Sequence, residues 1–396
     1  MLISRRTLVI GALLALPSGL AVAQSAPSFD GFLAALWKDA AAQGINRATF
    51  DAAFAGVTPD PRVLGAMARQ PEYGEPFGAY VEGMVSANRI AVGLRKSTQW
   101  SAILQAVEKK FGVATGIVVS IWGIESSFGD APDHWDVFRS LATLAAERFQ
   151  HPLFRNELLS ALRILQDDHI PRQQFLGSWA GAMGQAQFLP SSFLKYAVDF
   201  DGDGRADIWT SVPDVLASIA NYLQKWGWQP ALPWGFEVDV PAGFDYRVSR
   251  GSFAQWAERG LRRADGGRLP AAGDAILFFP SGAPGPAFLV TANFVVLKSY
   301  NNSDAYALAA ATLADRLRGH PPSRSAWPVN DFQPSRAQRT ALQRKLAELG
   351  YPVADFNGHL DFDLRDAVRK LQEEYGMVPD GHPSRAFLHR IGVSAQ

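Results

Sequence analysis

The stretch Gly123-Ile124-Glu125-Ser126-Ser127-Phe128-Gly129 decides how this sequence is read. It follows the apolar run Ile117-Val118-Val119-Ser120-Ile121-Trp122, so one acid stands at the end of an otherwise uncharged segment. A run that is apolar on every face predicts a buried helix over Val113–Ser126, with Glu125 in its last turn. There the negative end of the helix dipole disfavours a further negative charge by a few tenths of a kcal/mol up to about 1 kcal/mol. Apolar neighbours add a desolvation penalty of the same sign. Both effects keep the carboxyl protonated near neutral pH, as a proton donor to a leaving oxygen requires. An ordinary surface glutamate at a helix end shares this pattern. The segment therefore nominates Glu125 without naming a reaction.

A second segment, Ser178-Trp179-Ala180-Gly181-Ala182-Met183-Gly184-Gln185-Ala186-Gln187-Phe188-Leu189-Pro190-Ser191-Ser192-Phe193, is rich in small residues. Glycines let a ligand approach the backbone, while Ser178 and Gln187 offer neutral hydrogen-bonding groups of the kind that read sugars. Tight helix packing around a loop fits it equally well. Around these segments the pattern from Ser28 to Ala231 is mainly helical: Phe29-Phe32-Leu33-Leu36-Trp37 and Leu158-Leu162-Leu165 each mark one apolar helix face. From Trp234 to Tyr300 the texture turns strand-rich, with alternation at Phe236-Glu237-Val238-Asp239-Val240 and short runs at Ala275–Phe279 and Phe294–Leu297 between Gly and Pro turns. A helix over Ala305–Leu317 follows. The predicted architecture is mainly α, with a strand-rich insertion at about 234–300.

Together the two segments resemble the lytic murein transglycosylase B family, lysozyme-like enzymes of the glycoside hydrolase family 103 type. The resemblance spans most of 28–319. It is most specific in the Glu-Ser-x-Phe-Gly segment at Glu125 and the Ala-Gly-Ala-Met-Gly-x-x-Gln-Phe-x-Pro-Ser segment ending at Ser191. It implies an α+β lysozyme-like domain acting on peptidoglycan glycan strands without a catalytic cofactor. Glu125 would protonate the bond between N-acetylmuramic acid and N-acetylglucosamine. The same carboxylate would then take the proton of the muramic C6 hydroxyl as that oxygen closes a 1,6-anhydro ring. Ser178 and Gln187 would contact the sugar, Tyr222 would line the cleft, and Tyr300, Asn301 and Tyr306 would form its wall; Tyr80 is a weaker match. Each tyrosine would serve equally well as a core residue. Because the nucleophile is tethered to the substrate, one acid can suffice, whereas two-carboxylate glycosidases need a second. Asp130, Asp133 and Asp136 lie close in sequence and keep a hydrolytic muramidase open. A non-catalytic wall-binding protein is a third reading, against which the intact Glu125 segment counts.

Asp199-Phe200-Asp201-Gly202-Asp203-Gly204-Arg205 begins like an EF-hand, with carboxylates at loop positions one, three and five and the Arg205 carbonyl at seven. Position twelve is Thr210 rather than Glu. These hard oxygen ligands favour a weakly bound structural Ca²⁺, although a solvated Asp/Gly turn without an ion has the same residues. The family resemblance implies a longer loop closed by Asp214, at the start of a helix over Asp214–Trp226.

His320-Pro321-Pro322-Ser323-Arg324-Ser325 reads as part of a linker over 320–332. Beyond it, 333–391 carries a rough internal echo. Ala341-Leu342-Gln343 with Leu346 and Gly350 is answered by Ala367-Val368, Leu371-Gln372 and Gly376; Asn357-Gly358 and Asp380-Gly381 supply turns. The unit resembles the three-helix peptidoglycan-binding domain, which implies a tether to the wall.

The 38 basic and 38 acidic residues cancel, so no basic field exists to hold nucleic acid. At the N-terminus, Arg5 and Arg6 precede an apolar run from Leu8 to Leu16, and Ala21-Val22-Ala23 offers a cleavage site. Residues 1–23 thus read as a signal peptide, served by either the general or the twin-arginine export route. The absence of cysteine excludes disulfides and a lipoprotein anchor. The expected mature form is a soluble periplasmic monomer without a membrane anchor.

Overall fold

The computed structural model describes residues 28–67, 75–131, 134–147 and 152–393. The expected signal peptide and Asp133 lie outside them. In chain order the helical part begins with α1 (Phe29–Ala42), α2 (Arg47–Phe54), α3 (Pro61–Met67), α4 (Phe77–Met84), α5 (Ala87–Gln99), α6 (Ser101–Phe111) and α7 (Thr115–Ser126). A short strand β1 (Trp135–Asp136) leads into α8 (Val137–Glu147) and α9 (Pro152–Gln166). Strand β2 (Leu176–Gly177) pairs antiparallel with β1, and α10 (Pro190–Tyr196) and α11 (Val212–Lys225) follow.

Helix α7 is buried along nearly its whole length, from Gly116 to Gly123, as its uniformly apolar sequence demands. Later in the chain, α13 (Ala292–Asn301) packs on α14 (Asp304–Leu317), and α14 returns to lie along α7. The alanines of α14 permit a close approach: a side chain at Gly116 would press to 3.2 Å from the Ala314 carbonyl oxygen. Helices α5, α6 and α11 also pack on α7, while α8 and α9 pair with each other, with Leu158 and Leu162 fully buried.

The insertion holds β3 (Gly235–Asp239), β4 (Arg250–Ser252), α12 (Phe253–Glu258), β5 (Arg262–Arg263), β6 (Asp274–Phe278) and β7 (Ala287–Val290). Its five strands form an antiparallel sheet in the order β4-β6-β7-β3-β5. The strand alternation sorts its side chains. Phe278, Phe288 and Val290 join the main core, while Ala275, Leu277, Leu289 and Val238 build a small core with Phe253 and Trp256. One expectation fails here, since Phe294–Leu297 lies within α13. Thr291 caps that helix by accepting the Asn293 amide, and Phe294 and Leu297 are buried while Val295 is exposed. Four apolar residues do not distinguish a strand from a helix by periodicity.

The C-terminal unit consists of α15 (Arg336–Glu348), α16 (Phe362–Glu374) and α17 (Arg385–Arg390), with a core of its own around Leu342, Leu346, Val368 and Phe387. The internal echo is present in its hydrogen bonds. Gln343 accepts the Gly358 amide (2.7 Å) and donates to the His359 carbonyl (2.8 Å); Gln372 accepts the Gly381 amide (2.8 Å) and donates to the His382 carbonyl (3.0 Å). The preceding 320–332 segment lies against the body. Trp327 stacks on Phe77, and Glu237 accepts the amides of Arg324 and Ser325, each at 2.8 Å.

Candidate active site

The end of α7 explains most of the Glu125 segment. Ser127, Phe128 and Gly129 take φ values of 52°, 64° and 84°, three left-handed residues in a row. This turns the Phe128 ring back beneath Gly123, where an added side chain would meet it at 2.4 Å. Phe128 is buried edge-on against Trp122. Buried Ser126 donates to the Trp122 carbonyl and accepts the Gly129 amide, each at 3.1 Å. These neighbours are the scaffold that ends the helix and leaves Glu125 half-buried at its rim.

The loop of the second segment leans on the same helix. Gln185 accepts the Trp122 indole N–H (2.9 Å) and donates to the Trp209 carbonyl (2.8 Å). A side chain at Gly184 would collide with the Ile208 carbonyl oxygen at 2.6 Å, and φ there is 62°. Gln187, at φ 49°, donates to the Gly184 carbonyl (2.9 Å). Ser178 Oγ accepts the amides of Ala180 and Ala182 (3.3 and 3.0 Å). Both residues are half-buried.

A tyrosine cluster completes the site. Tyr306, in the first turn of α14, donates its hydroxyl to Glu125 Oε1 at 2.5 Å. Tyr300 stacks parallel to it, with centroids 6.2 Å apart, and donates to the Ala186 carbonyl (2.7 Å). Tyr222 packs on Tyr300 (4.8 Å) and donates to the Ser299 carbonyl (2.8 Å). Burial first, and then the charge on Glu125, raise the Tyr300 and Tyr306 hydroxyls well above the ordinary tyrosine range. Burial raises Tyr222 to about 12 despite its hydrogen bond to Ser299, and the charge on Glu125 adds to the rise. All three remain neutral donors across the physiological range. Buried Tyr80 of α4 acts electrostatically on Tyr306, and Asn301 is exposed at the end of α13.

Sequence reading missed Trp226. It is 50% exposed and stacks on Tyr222 at 5.8 Å, one helical turn further on. The spacing of four residues was the available signal. Of the neighbouring acids, Asp136 pairs with Arg172 (2.8 Å) and largely exposed Asp130 lies 4.0 Å from Lys96.

In the acidic loop, the Asp199, Asp201 and Asp203 carboxylates lie within 4.8 Å of one another. Gly202 and Gly204, at φ 81° and 95°, donate their amides to Asp199 (2.7 and 2.9 Å). Arg205 is exposed, and its amide donates to Asp203. Asp214 has a different set of partners. It is fully buried in the first turn of α11 and accepts the amides of Phe200 (2.7 Å), Asp201 (3.3 Å) and Asp207 (2.8 Å). Burial raises its carboxyl, and these amides pull it back.

A cavity of about 1130 Å³ lies at the other end of α7, beside Ala114 and Ile117, Trp234, Asp315 and the 320–327 segment. Several of its charged groups are already engaged: Arg263 with Asp265, Asp315 with the Trp234 indole, and Glu237 with backbone amides. Size does not locate the chemistry.

Residues 28–315 match the transglycosylase SLT domain family and residues 335–391 a peptidoglycan binding domain family. The chain is similar to crystal structures of SltB3 from Pseudomonas aeruginosa in complex with NAG-anhNAM-pentapeptide and with NAG-NAM-pentapeptide. Identity is 44%, TM-scores are 0.82 and 0.83, and the matches cover 92% of this chain and 99% of those. The Escherichia coli lytic transglycosylase Slt35 in complex with calcium is 26% identical over 74% of this chain and 93% of its own, with a TM-score of 0.61. Membrane-bound lytic murein transglycosylase B of Escherichia coli (strain K12) is 34% identical over 160 residues. That match covers 39% of this chain and 43% of the relative, less than half its length. With the fold, the order of the two motifs and the match over 28–315 in agreement, the chain belongs to the transglycosylase SLT domain family of lytic transglycosylases.

Proposed function

We propose that the protein is a lytic transglycosylase of peptidoglycan that cleaves the β-1,4 bond between N-acetylmuramic acid and N-acetylglucosamine, leaving 1,6-anhydro-muramic ends. The observation that carries this reading is Glu125 at the rim of a helix end, with the Tyr306 hydroxyl 2.5 Å from its carboxyl. Glu125 gives its proton to the glycosidic oxygen as the bond to the muramic anomeric carbon breaks. The C6 hydroxyl of the same sugar attacks that carbon and returns its proton to Glu125, so no water is consumed. Between these steps Glu125 is a carboxylate, and Tyr306 donates to it. Tyr306, Tyr300 and Tyr222 give the site neutral, rigid faces. Ser178 and Gln187 supply hydrogen bonds to the sugar, with Tyr80 and Asn301 at its margin, and the exposed face of Trp226 offers a stacking surface. A one-acid mechanism is chemically sufficient, because the attacking hydroxyl is already part of the substrate.

Asp199, Asp201 and Asp203, with the Arg205 carbonyl, form an oxygen-rich donor set that suits Ca²⁺. The ion would cross-link the loop that leads into α11, and Asp214 would brace that loop through its amides. The relative crystallised with calcium supports this structural role. No described helix is long and apolar enough to cross a membrane, which is compatible with a soluble periplasmic monomer. The C-terminal domain would bind the wall and raise the local concentration of glycan.

Mass spectrometry of digested sacculi tests the reaction. Anhydro-ended fragments are expected; fragments heavier by one water would mean a muramidase, and no fragments would mean a binding protein.

A further inference from the structure

The stacked tyrosines beside Glu125 are joined by the turn Asn301-Asn302-Ser303-Asp304, and the C-terminal domain grips this turn. His359 Nδ1 lies 3.1 Å from the carbonyl oxygen of Asn302, which ends α13 at φ 54°. Lys298, two residues before Tyr300, donates to the Leu360 carbonyl and lies 2.9 Å from Asp304 Oδ1. Arg365 of α16 completes the cluster, with Nη2 2.8 Å from Asp304 Oδ2; the two side chains are only 6% and 7% exposed. Phe362 packs beside it on Phe278 (5.6 Å) and Phe294 (6.4 Å). Two residues after Asp304 comes Tyr306, whose amide donates to Ser303 Oγ at 3.2 Å.

We propose that Arg365 and His359 are positioning residues for the Tyr300–Tyr306 pair, so that the C-terminal domain is a working part of the active site as well as a wall anchor. The physical reason is the cost of burying Asp304. A carboxylate so enclosed needs its cations in place, and satisfying it fixes the first turn of α14, on which Tyr306 rides. A shift of about 1 Å in such a group is enough to lower turnover by up to two orders of magnitude. Arg250 provides an internal control. It joins the same two domains from the edge strand β4, through exposed pairs with Asp363 and Asp366.

The kinetic arm of the test rests on the transglycosylase reading; the spectroscopic arm does not. Full-length Arg365→Gln, Arg365→Lys, His359→Ala and Arg250→Ala enzymes are compared on soluble, uncrosslinked glycan fragments, where wall anchoring plays no part. Arg365→Gln should lower kcat at least tenfold with KM changed less than threefold. Arg365→Lys should recover most of that loss, His359→Ala should cost about threefold in kcat, and Arg250→Ala should stay within twofold. In enzyme labelled with ring-¹³C tyrosine, the Tyr306 resonance, assigned by its loss in Tyr306→Phe, should move in Arg365→Gln and His359→Ala but not in Arg250→Ala. An unmoved resonance and unchanged kcat in folded Arg365→Gln, or in His359→Ala if the first variant does not fold, overturn the proposal. So does an Arg250→Ala loss as large as that of Arg365→Gln. A wild-type enzyme inactive on glycan whose resonance still moves faults the reaction and leaves the brace standing.

Discussion

Two carboxylates flank Tyr306, and their surroundings differ in kind. Burial works to raise Asp304, but Lys298 and Arg365 outweigh it and hold the carboxyl at about 2. Glu125 accepts a hydrogen bond from the Tyr306 phenol, whose own proton is held tightly by burial. Fixed cations keep an acid ionised at every pH the protein meets. Neutral donors can stabilise a carboxylate without supplying a permanent opposite charge, so a proton can leave and return. On the proposed mechanism, the difference teaches that a partner's charge, as well as burial, separates a structural acid from a proton donor.

The sharpest break in that contrast is Glu125→Gln, which keeps the shape and removes the proton. Its kcat on glycan should fall by roughly 10³-fold, within the range of general acid–base catalysis, with KM little changed in steady-state assays. Asp304→Asn tests the other side. It strips two buried cations of their partner and should destabilise the fold by about 3 kcal/mol, read from urea unfolding. The wild-type pH dependence follows from linkage. Asp304 is held at about 2 in the folded protein, against 3.8 for a free aspartate. Its stabilisation, about 2 kcal/mol, is therefore present above pH ~4 and lost as pH falls from ~4 toward ~2. Asp304→Asn should flatten the acid limb of the stability curve; an unchanged limb would show that this pair does not control it.

Tyr306→Phe removes only the donor to Glu125. A hydrogen bond to a charged group is worth about 1.5–3 kcal/mol, so kcat should drop roughly ten- to hundredfold without loss of folding. Trp226→Ala lies outside both charge environments, and KM for soluble glycan should rise a few-fold, about 1 kcal/mol, with kcat preserved. The smallest effect concerns the third group of acids. Millimolar Ca²⁺ should raise the Tm of wild type by a few degrees and leave Asp201→Asn unmoved in a calorimetric titration.

Much of the candidate site was legible as residue types at fixed spacing. Glu125 stands out because the run before it is apolar, and the structure places it in the last turn of a buried helix, as expected. Tyr300 and Tyr306 had no such signal of their own, since an aromatic residue in a helix is core by default. Phe294–Leu297 misled because four apolar residues carry too little periodicity, and its helix became plain only from the cap at Thr291.

The sequence by itself determined the buried helix that ends at Glu125, the glycine-rich loop, the acidic turn and the paired turns of the last domain, because each depends on neighbours within a few residues. Only the tertiary structure brought Tyr306 to Glu125 across 181 positions and Arg365 to Asp304 across 61. Contacts of that separation are set by how helices pack. Packing depends on the summed shapes and charges of many side chains, and no short stretch of the chain encodes it.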